Sequence, residues 1–173
     1  RSYMKPTSVF LAALTAMMAG VALAVWQFTP NPAKSEETTQ FYAIKLKNSK
    51  GEELSFHTLR GKKVVINFWA SWCAPCIEEM PELDQVSQLV KTKNTEFLGI
   101  ALDSEANVKQ FALKHPVSYT LVAAGFAGAE IAHTFGNTAG VLPFTVLIDE
   151  SGTVLHSKIG KINQAELKSW LNF

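Results

Sequence analysis

The sequence predicts an α/β fold in which helices cover a central mixed sheet. Three observations carry that reading. The run Val64-Val65-Ile66-Asn67-Phe68-Trp69 is short, apolar and rich in β-branched residues, as a buried central strand should be. Residues 75–91 repeat Met80, Leu83, Val86, Leu89 and Val90 at helical spacing, and residues 97–102 form a second buried strand. Strand, helix and strand in that order imply a parallel pair with a right-handed crossover. Near the end, residues 145–149 and 154–159 flank Glu150-Ser151-Gly152, which reads as an antiparallel hairpin.

The other elements follow in order. Residues 41–47 look like a strand with Tyr42, Ile44 and Leu46 on one face. Asn48-Ser49-Lys50-Gly51 is a turn signal, and Leu54 and Phe56 mark a partner strand, giving an N-terminal β-hairpin. A helix over 105–114 is stopped by His115-Pro116, and 119–122 reads as a short strand. A helix over 127–135 ends at Gly136-Asn137. Asn163 or Gln164 caps a final amphipathic helix carrying Leu167, Trp170 and Leu171.

All of this lies in the C-terminal part of a 173-residue chain. Residues 9–28 are apolar except for Thr15 and Gln27. Twenty residues at helical rise span about 30 Å, the thickness of a bilayer core. Arg1 and Lys5 precede the run and no acid does, which keeps residues 1–8 in the cytoplasm and sends the remainder out. The run is either an uncleaved signal anchor, with Trp26 at the outer interface, or a signal peptide cleaved after Ala22-Leu23-Ala24. Met4 is a candidate initiator. Residues 29–40 form a polar linker, and the folded domain is expected over 41–173. Beyond Ser35 there are 13 basic and 15 acidic side chains, a net charge of −2 without a basic stripe, so nothing suggests nucleic acid.

The chain has two cysteines, Cys73 and Cys76, separated by two residues. A loop this small gains only about 2 kcal/mol from cross-linking in the chain-entropy model, so the pair is a poor staple. Cys73-Ala74-Pro75-Cys76 falls where the central strand hands over to the helix. The first turn of a helix offers unpaired N–H groups and partial positive charge, which stabilise a thiolate at Cys73. Pro75 suits that turn, where its missing N–H is not needed. Cys73 is thus the candidate exposed nucleophile, and Cys76 the partner that resolves a mixed disulfide. Histidines 57, 115, 133 and 156 are scattered, so no metal site is expected. No cofactor motif appears.

The stretch from Phe68 to Cys76 resembles the active-site signature of the thioredoxin superfamily. Leu59-Arg60-Gly61-Lys62-Lys63 before the strand and Glu78-Glu79-Met80-Pro81 after the cysteines are similar to the membrane-anchored TlpA/ResA/CcmG-like branch. The resemblance covers residues 41–173 and includes the insertion typical of that branch, around residues 107–122. It implies a thioredoxin-like fold and a cis bond between Leu142 and Pro143 facing the cysteines, with the Leu142 backbone offered to a substrate peptide. It also implies that Glu79 lies beneath the active site and exchanges a proton with Cys76. Glu78 and Glu82 are expected to face solvent. Cytoplasmic thioredoxins carry a buried aspartate six residues before the first cysteine; Asn67 stands there, leaving Glu79 as the acid–base group. Pro81 is expected to kink the helix, Trp69 to pack in the core, and Trp72 to touch the partner.

The resemblance implies a thiol–disulfide oxidoreductase in the bacterial periplasm, held to the inner membrane by residues 9–28. Its expected task is to reduce exported proteins such as apocytochrome c, with electrons from a membrane thiol transporter. A disulfide-forming oxidant and a copper-handling chaperone of the same fold are the alternatives. A peroxidase fits less well, because Ala70 stands where peroxiredoxins have threonine.

Overall fold

The structure, a computed structural model, describes residues 39–91 and 93–172 together with Met17 and Met18. The chain divides into two compact units, Arg1–Ser35 and Glu36–Phe173. The expected membrane segment and most of the linker lie outside the described residues; Met17 and Met18 are helical and exposed. Among the described residues no helix is long and apolar enough to cross a membrane.

Seven strands build one mixed sheet: β1 Lys45–Asn48, β2 Glu53–Ser55, β3 Lys63–Trp69, β4 Thr95–Ala101, β5 Thr120–Ala123, β6 Phe144–Ile148 and β7 Val154–Ile159. Their spatial order is β2-β1-β5-β4-β3-β6-β7. β3 pairs in parallel with β4 and β4 with β5, while the other pairs are antiparallel. The helices are α1 Ala74–Val90, α2 Glu105–Lys114, α3 Ala127–Thr134 and α4 Gln164–Trp170. The expected strand–helix–strand unit is β3-α1-β4, and the expected hairpin is β6-β7.

Strand pleating sorts the core into two faces. Val64, Ile66 and Phe68 of β3 pack with Ile100, Phe144, Phe56 and Ile131 of α3. Val65 packs on the other face with Leu83 and Val86 of α1 and Leu167 of α4. Trp69 shares that face with Met80 of α1 and with Val108 and Phe111 of α2. Side-chain caps start two helices: Ser104 Oγ accepts from Asn107 N at 3.2 Å, and Asn163 Oδ1 accepts from Glu166 N at 2.8 Å.

Three expectations need correction. Residues 41–43 belong to a helical segment, and β1 begins only at Lys45. Phe41 and Tyr42 are adjacent and both buried, which a strand covered on one face only, as β1 is, does not give and a helical turn permits. The Phe41 ring centroid lies 5.4 Å from that of Tyr42, 5.0 Å from Phe56 and 5.3 Å from Phe135. Phe56 itself opens a 3-10 turn, Phe56–Leu59, instead of extending β2, and turns its ring into the core. Leu89, placed in the buried stripe of α1, is 51% exposed. Pro81 lies inside α1, which runs through it as one helix.

Gly99 is the β4 partner of Asn67. A Cβ built there would lie 2.6 Å from Leu121 Cδ2, 3.1 Å from Trp69 Nε1 and 3.3 Å from the Tyr119 ring. Gly99→Ala is therefore expected to cost about 1–3 kcal/mol by overpacking, measured by urea unfolding. Unchanged stability would show that Leu121 swings aside freely.

Candidate active site

The site is built where β3 ends. Cys73 is the N-cap of α1, with extended backbone (φ −93°, ψ 97°), and Pro75 lies in the first turn. Cys73 and Cys76 form a disulfide with their Cα atoms 5.3 Å apart. The Cys73 carbonyl accepts from the N–H groups of Cys76 and Ile77 at 3.1 and 3.2 Å. Cys73 is 6% exposed and Cys76 not at all. Cys73 is less open than expected, because it packs in the apolar cluster of Trp69, Ala70 and Met80, with Leu142 against it. It is nonetheless the more exposed residue of the two. Trp72, beside it, is 71% exposed.

The approach to Cys73 is fixed from the sheet. Asp103, just beyond β4, accepts from the Ser71 amide at 2.8 Å and the Ser71 hydroxyl at 2.7 Å. Its second oxygen accepts from Asn107 Nδ2 at 2.7 Å. Burial pushes the Asp103 carboxyl up, but the bonds from Asn107 and Ser71 outweigh it and hold the group below its ordinary value.

A second loop brings Leu142 to the cluster that holds the disulfide, with Pro143 next to it in the chain. The bond between them is cis, and Pro143 is buried, its carbonyl accepting from Gly160 N at 2.8 Å. Asn137, buried, braces that loop from both ends of its amide. Nδ2 donates to the Val141 carbonyl at 2.9 Å, and Oδ1 accepts from Val141 N at 3.1 Å.

One turn along α1 from Cys76 lies Glu79, a carboxyl with no solvent exposure. Oε1 accepts from Asn67 Nδ2 at 2.7 Å and Oε2 from Ile162 N at 2.8 Å. Burial pushes the carboxyl up to about 7, against the opposing pull of these two bonds and of the Lys161 and Lys158 charges. Asn67 Nδ2 also donates to Thr145 Oγ1 at 3.0 Å. Such an assembly can hold or release a proton near neutral pH behind a sulfur pair at a helix start. Among the described residues no group of three or more His, Cys, Asp or Glu could hold a metal ion.

The sequence pattern of the Redoxin family matches residues 34–171. The chain belongs to the Redoxin family. It is 34% identical over 128 residues to the thiol-disulfide oxidoreductase ResA of Bacillus anthracis, across 70% of this chain and 68% of that protein. The ResA of Geobacillus thermodenitrificans is 29% identical over 127 residues, across 73% and 71%. Among solved structures, MTB DsbF superposes with a TM-score of 0.65 at 28% identity, covering 83% of this chain and 98% of that one. A thioredoxin-related protein from Neisseria meningitidis serogroup B gives 0.65 at 32% identity, covering 73% and 96%. This Redoxin-family chain is a thiol–disulfide oxidoreductase of thioredoxin-like fold, in the TlpA/ResA/CcmG-like branch.

Leu142 packs against the cluster that holds Cys73 and Cys76, Pro143 follows it across the cis bond, Glu79 lies one helical turn beyond Cys76, and Trp72 is exposed beside Cys73. Glu78 is exposed and pairs with Lys161 at 3.1 Å. Glu82, expected in solvent, is half-buried, because its carboxylate accepts from Gln164 N at 2.7 Å and so anchors the start of α4. Sequence reasoning missed Asp103, Asn137 and Thr145. Asp103 carried a signal in being an acid directly after a buried strand, at the end where the cysteines sit. Asn137 read only as a helix stop.

The pH dependence of stability follows from Glu79. The unfolded chain releases this proton near 4.5 and the folded chain near 7. Between those values the folded state binds more protons, so its stability falls as pH rises through the window. The expected loss is about 3 kcal/mol, read from urea unfolding of the disulfide form, where no thiol titrates. Glu79→Gln should flatten that slope, and an undiminished slope in the variant would assign it to another group.

Proposed function

We propose that the chain reduces disulfides of exported proteins outside the cytoplasm, by exchange through Cys73 and Cys76. The observation that carries this reading is the buried Glu79 carboxyl, poised near neutrality one helical turn behind a disulfide at a helix N-terminus.

In the dithiol form the Cys73 thiolate attacks one sulfur of the substrate disulfide. A mixed disulfide forms and the other substrate sulfur leaves as a thiolate. Glu79 takes the proton of Cys76, whose thiolate then attacks Cys73 Sγ. The substrate departs with both sulfurs reduced, its two electrons supplied by the cysteine pair, which is left oxidised. Leu142 and Pro143 present backbone to the substrate, and Trp72 supplies apolar contact at the rim. Residues 9–28 serve as membrane anchor or export signal, 29–40 as linker and 41–173 as the working domain, in the bacterial periplasm. Apocytochrome c is the substrate class the resemblance favours, with a membrane thiol transporter returning the pair to its dithiol form.

The redox equilibrium against a thiol buffer tests the direction. A potential near or below about −220 mV is expected for a donor, whereas a value near about −120 mV would mark a disulfide-forming oxidant and overturn the proposal.

Variants test the roles. Cys73→Ser is expected to abolish exchange, and Cys76→Ser to accumulate mixed disulfide. Glu79→Gln should slow release from that intermediate by about 100-fold or more at neutral pH, measured by stopped-flow. Release at the unaltered rate would remove Glu79 from the mechanism.

A further inference from the structure

Asn67 holds the centre of the buried network in a one-sided pose. Its Nδ2 donates to Glu79 Oε1 at 2.7 Å and Thr145 Oγ1 at 3.0 Å. Its Oδ1 is buried and has no partner. Both amide donors are used and the acceptor is idle.

This pose suits ionised Glu79 best. Oε2 is engaged by the Ile162 N–H, a backbone donor that cannot reverse. A proton arriving on Glu79 therefore settles on Oε1, where it meets the N–H of Asn67. Two donors then face each other among residues closed to solvent, an arrangement buried polar groups avoid.

A half-turn of the amide removes the clash at Oε1. Its oxygen and NH2 are close in size, so the exchange needs no extra volume in a packed interior. Oδ1 would then accept from protonated Oε1. It would also accept from Thr145, whose hydroxyl rotates freely between accepting and donating. The NH2 takes the place of Oδ1, which has no partner there, so its two donors are released as the oxygen engages. We infer that Asn67 is a positioning residue whose amide turns over with the protonation of Glu79, holding that carboxyl in place in both states. An aspartate here would set a second acid against Glu79, and an apolar residue would hold neither form.

The surrounding charges do not perform this task. Lys158 on β7 and Lys161 before α4 act on Glu79 by charge, and Cys76 shares its helix face. Tyr119, before β5, has a buried hydroxyl without a partner, held above its ordinary value by burial and by the Glu79 and Asp84 charges. None of these four hydrogen-bonds the Asn67 amide among the described contacts.

The inference rests on Glu79 as the proton-exchanging group, and one set of spectra separates the two. The disulfide form of the full chain, isotope-labelled, is followed by NMR from about pH 4 to 9, a range spanning ordinary and raised carboxyl values. The Asn67 amide protons are expected to show contacts to Thr145 and Glu79 at high pH and to lose them at low pH. Their midpoint should match that of the Glu79 carboxyl carbon, and in Glu79→Gln the contacts should no longer depend on pH. Amide contacts that persist while Glu79 titrates would overturn the inference and leave the acid–base reading standing. An amide that turns, with exchange rates of the same pH profile in wild type and Glu79→Gln, would uphold the inference and remove that reading.

Discussion

A single carboxyl group withheld from water ties the redox centre together. Glu79 projects from α1 and bonds to Asn67 on β3 and to the Ile162 amide ahead of α4; through Asn67 it reaches Thr145 on β6. A helix, two central strands and the C-terminal connection thus meet at one polar point in an otherwise apolar layer. Burying an anion without compensation is costly, and two hydrogen bonds with two nearby lysines only partly offset it. The remainder is expressed as proton affinity, so a device that fastens the fold also stores a proton near neutral pH. Structural and chemical roles are inseparable in this residue.

The surface side of the centre is organised differently. There the polar groups that position backbone are fully engaged. Asp103 takes the amide and hydroxyl of Ser71 and is steadied by Asn107. Asn137 clasps Val141 by both N–H and carbonyl. These two side chains hold the loops entering Cys73 and Pro143 from opposite sides, and neither loop belongs to a strand or helix at that point. Hydrogen-bonded loops and a buried titrating carboxyl thus flank the cysteine pair along the chain.

Much of this was legible in the sequence, for reasons that differ by element. β3, α1 and β4 could be read because burial on both sheet faces and helical periodicity leave strong local patterns. The cysteine pair, Glu79 and Pro143 could be placed because a motif fixes each against its neighbours. The segment around Phe41 misled, because Tyr42, Ile44 and Leu46 alternate as in a strand, while the burial of Phe41 depends on Phe56 and Phe135, far along the chain. Glu82 misled for a similar reason, its partner being the amide of Gln164. Asp103 and Asn137 act on backbone groups whose position is known only once the sheet has formed. Local pattern reports elements well, and it is silent about polar contacts made across the fold.

The outermost strands carry one more consequence. β2 is only three residues long and passes at once into a 3-10 turn. On the opposite flank, β7 carries Lys158, paired with Glu166, and His156, stacked on Trp170 of α4 at 5.2 Å between centroids. A register irregularity interrupts its pairing with β6 at Leu147 and Ile148. Brevity, charge and irregularity are the features that keep open sheet margins from recruiting stray chains. For a chain proposed to act on exported proteins, whose own extended segments could pair with an open edge, such guarded margins would confine contact to the disulfide.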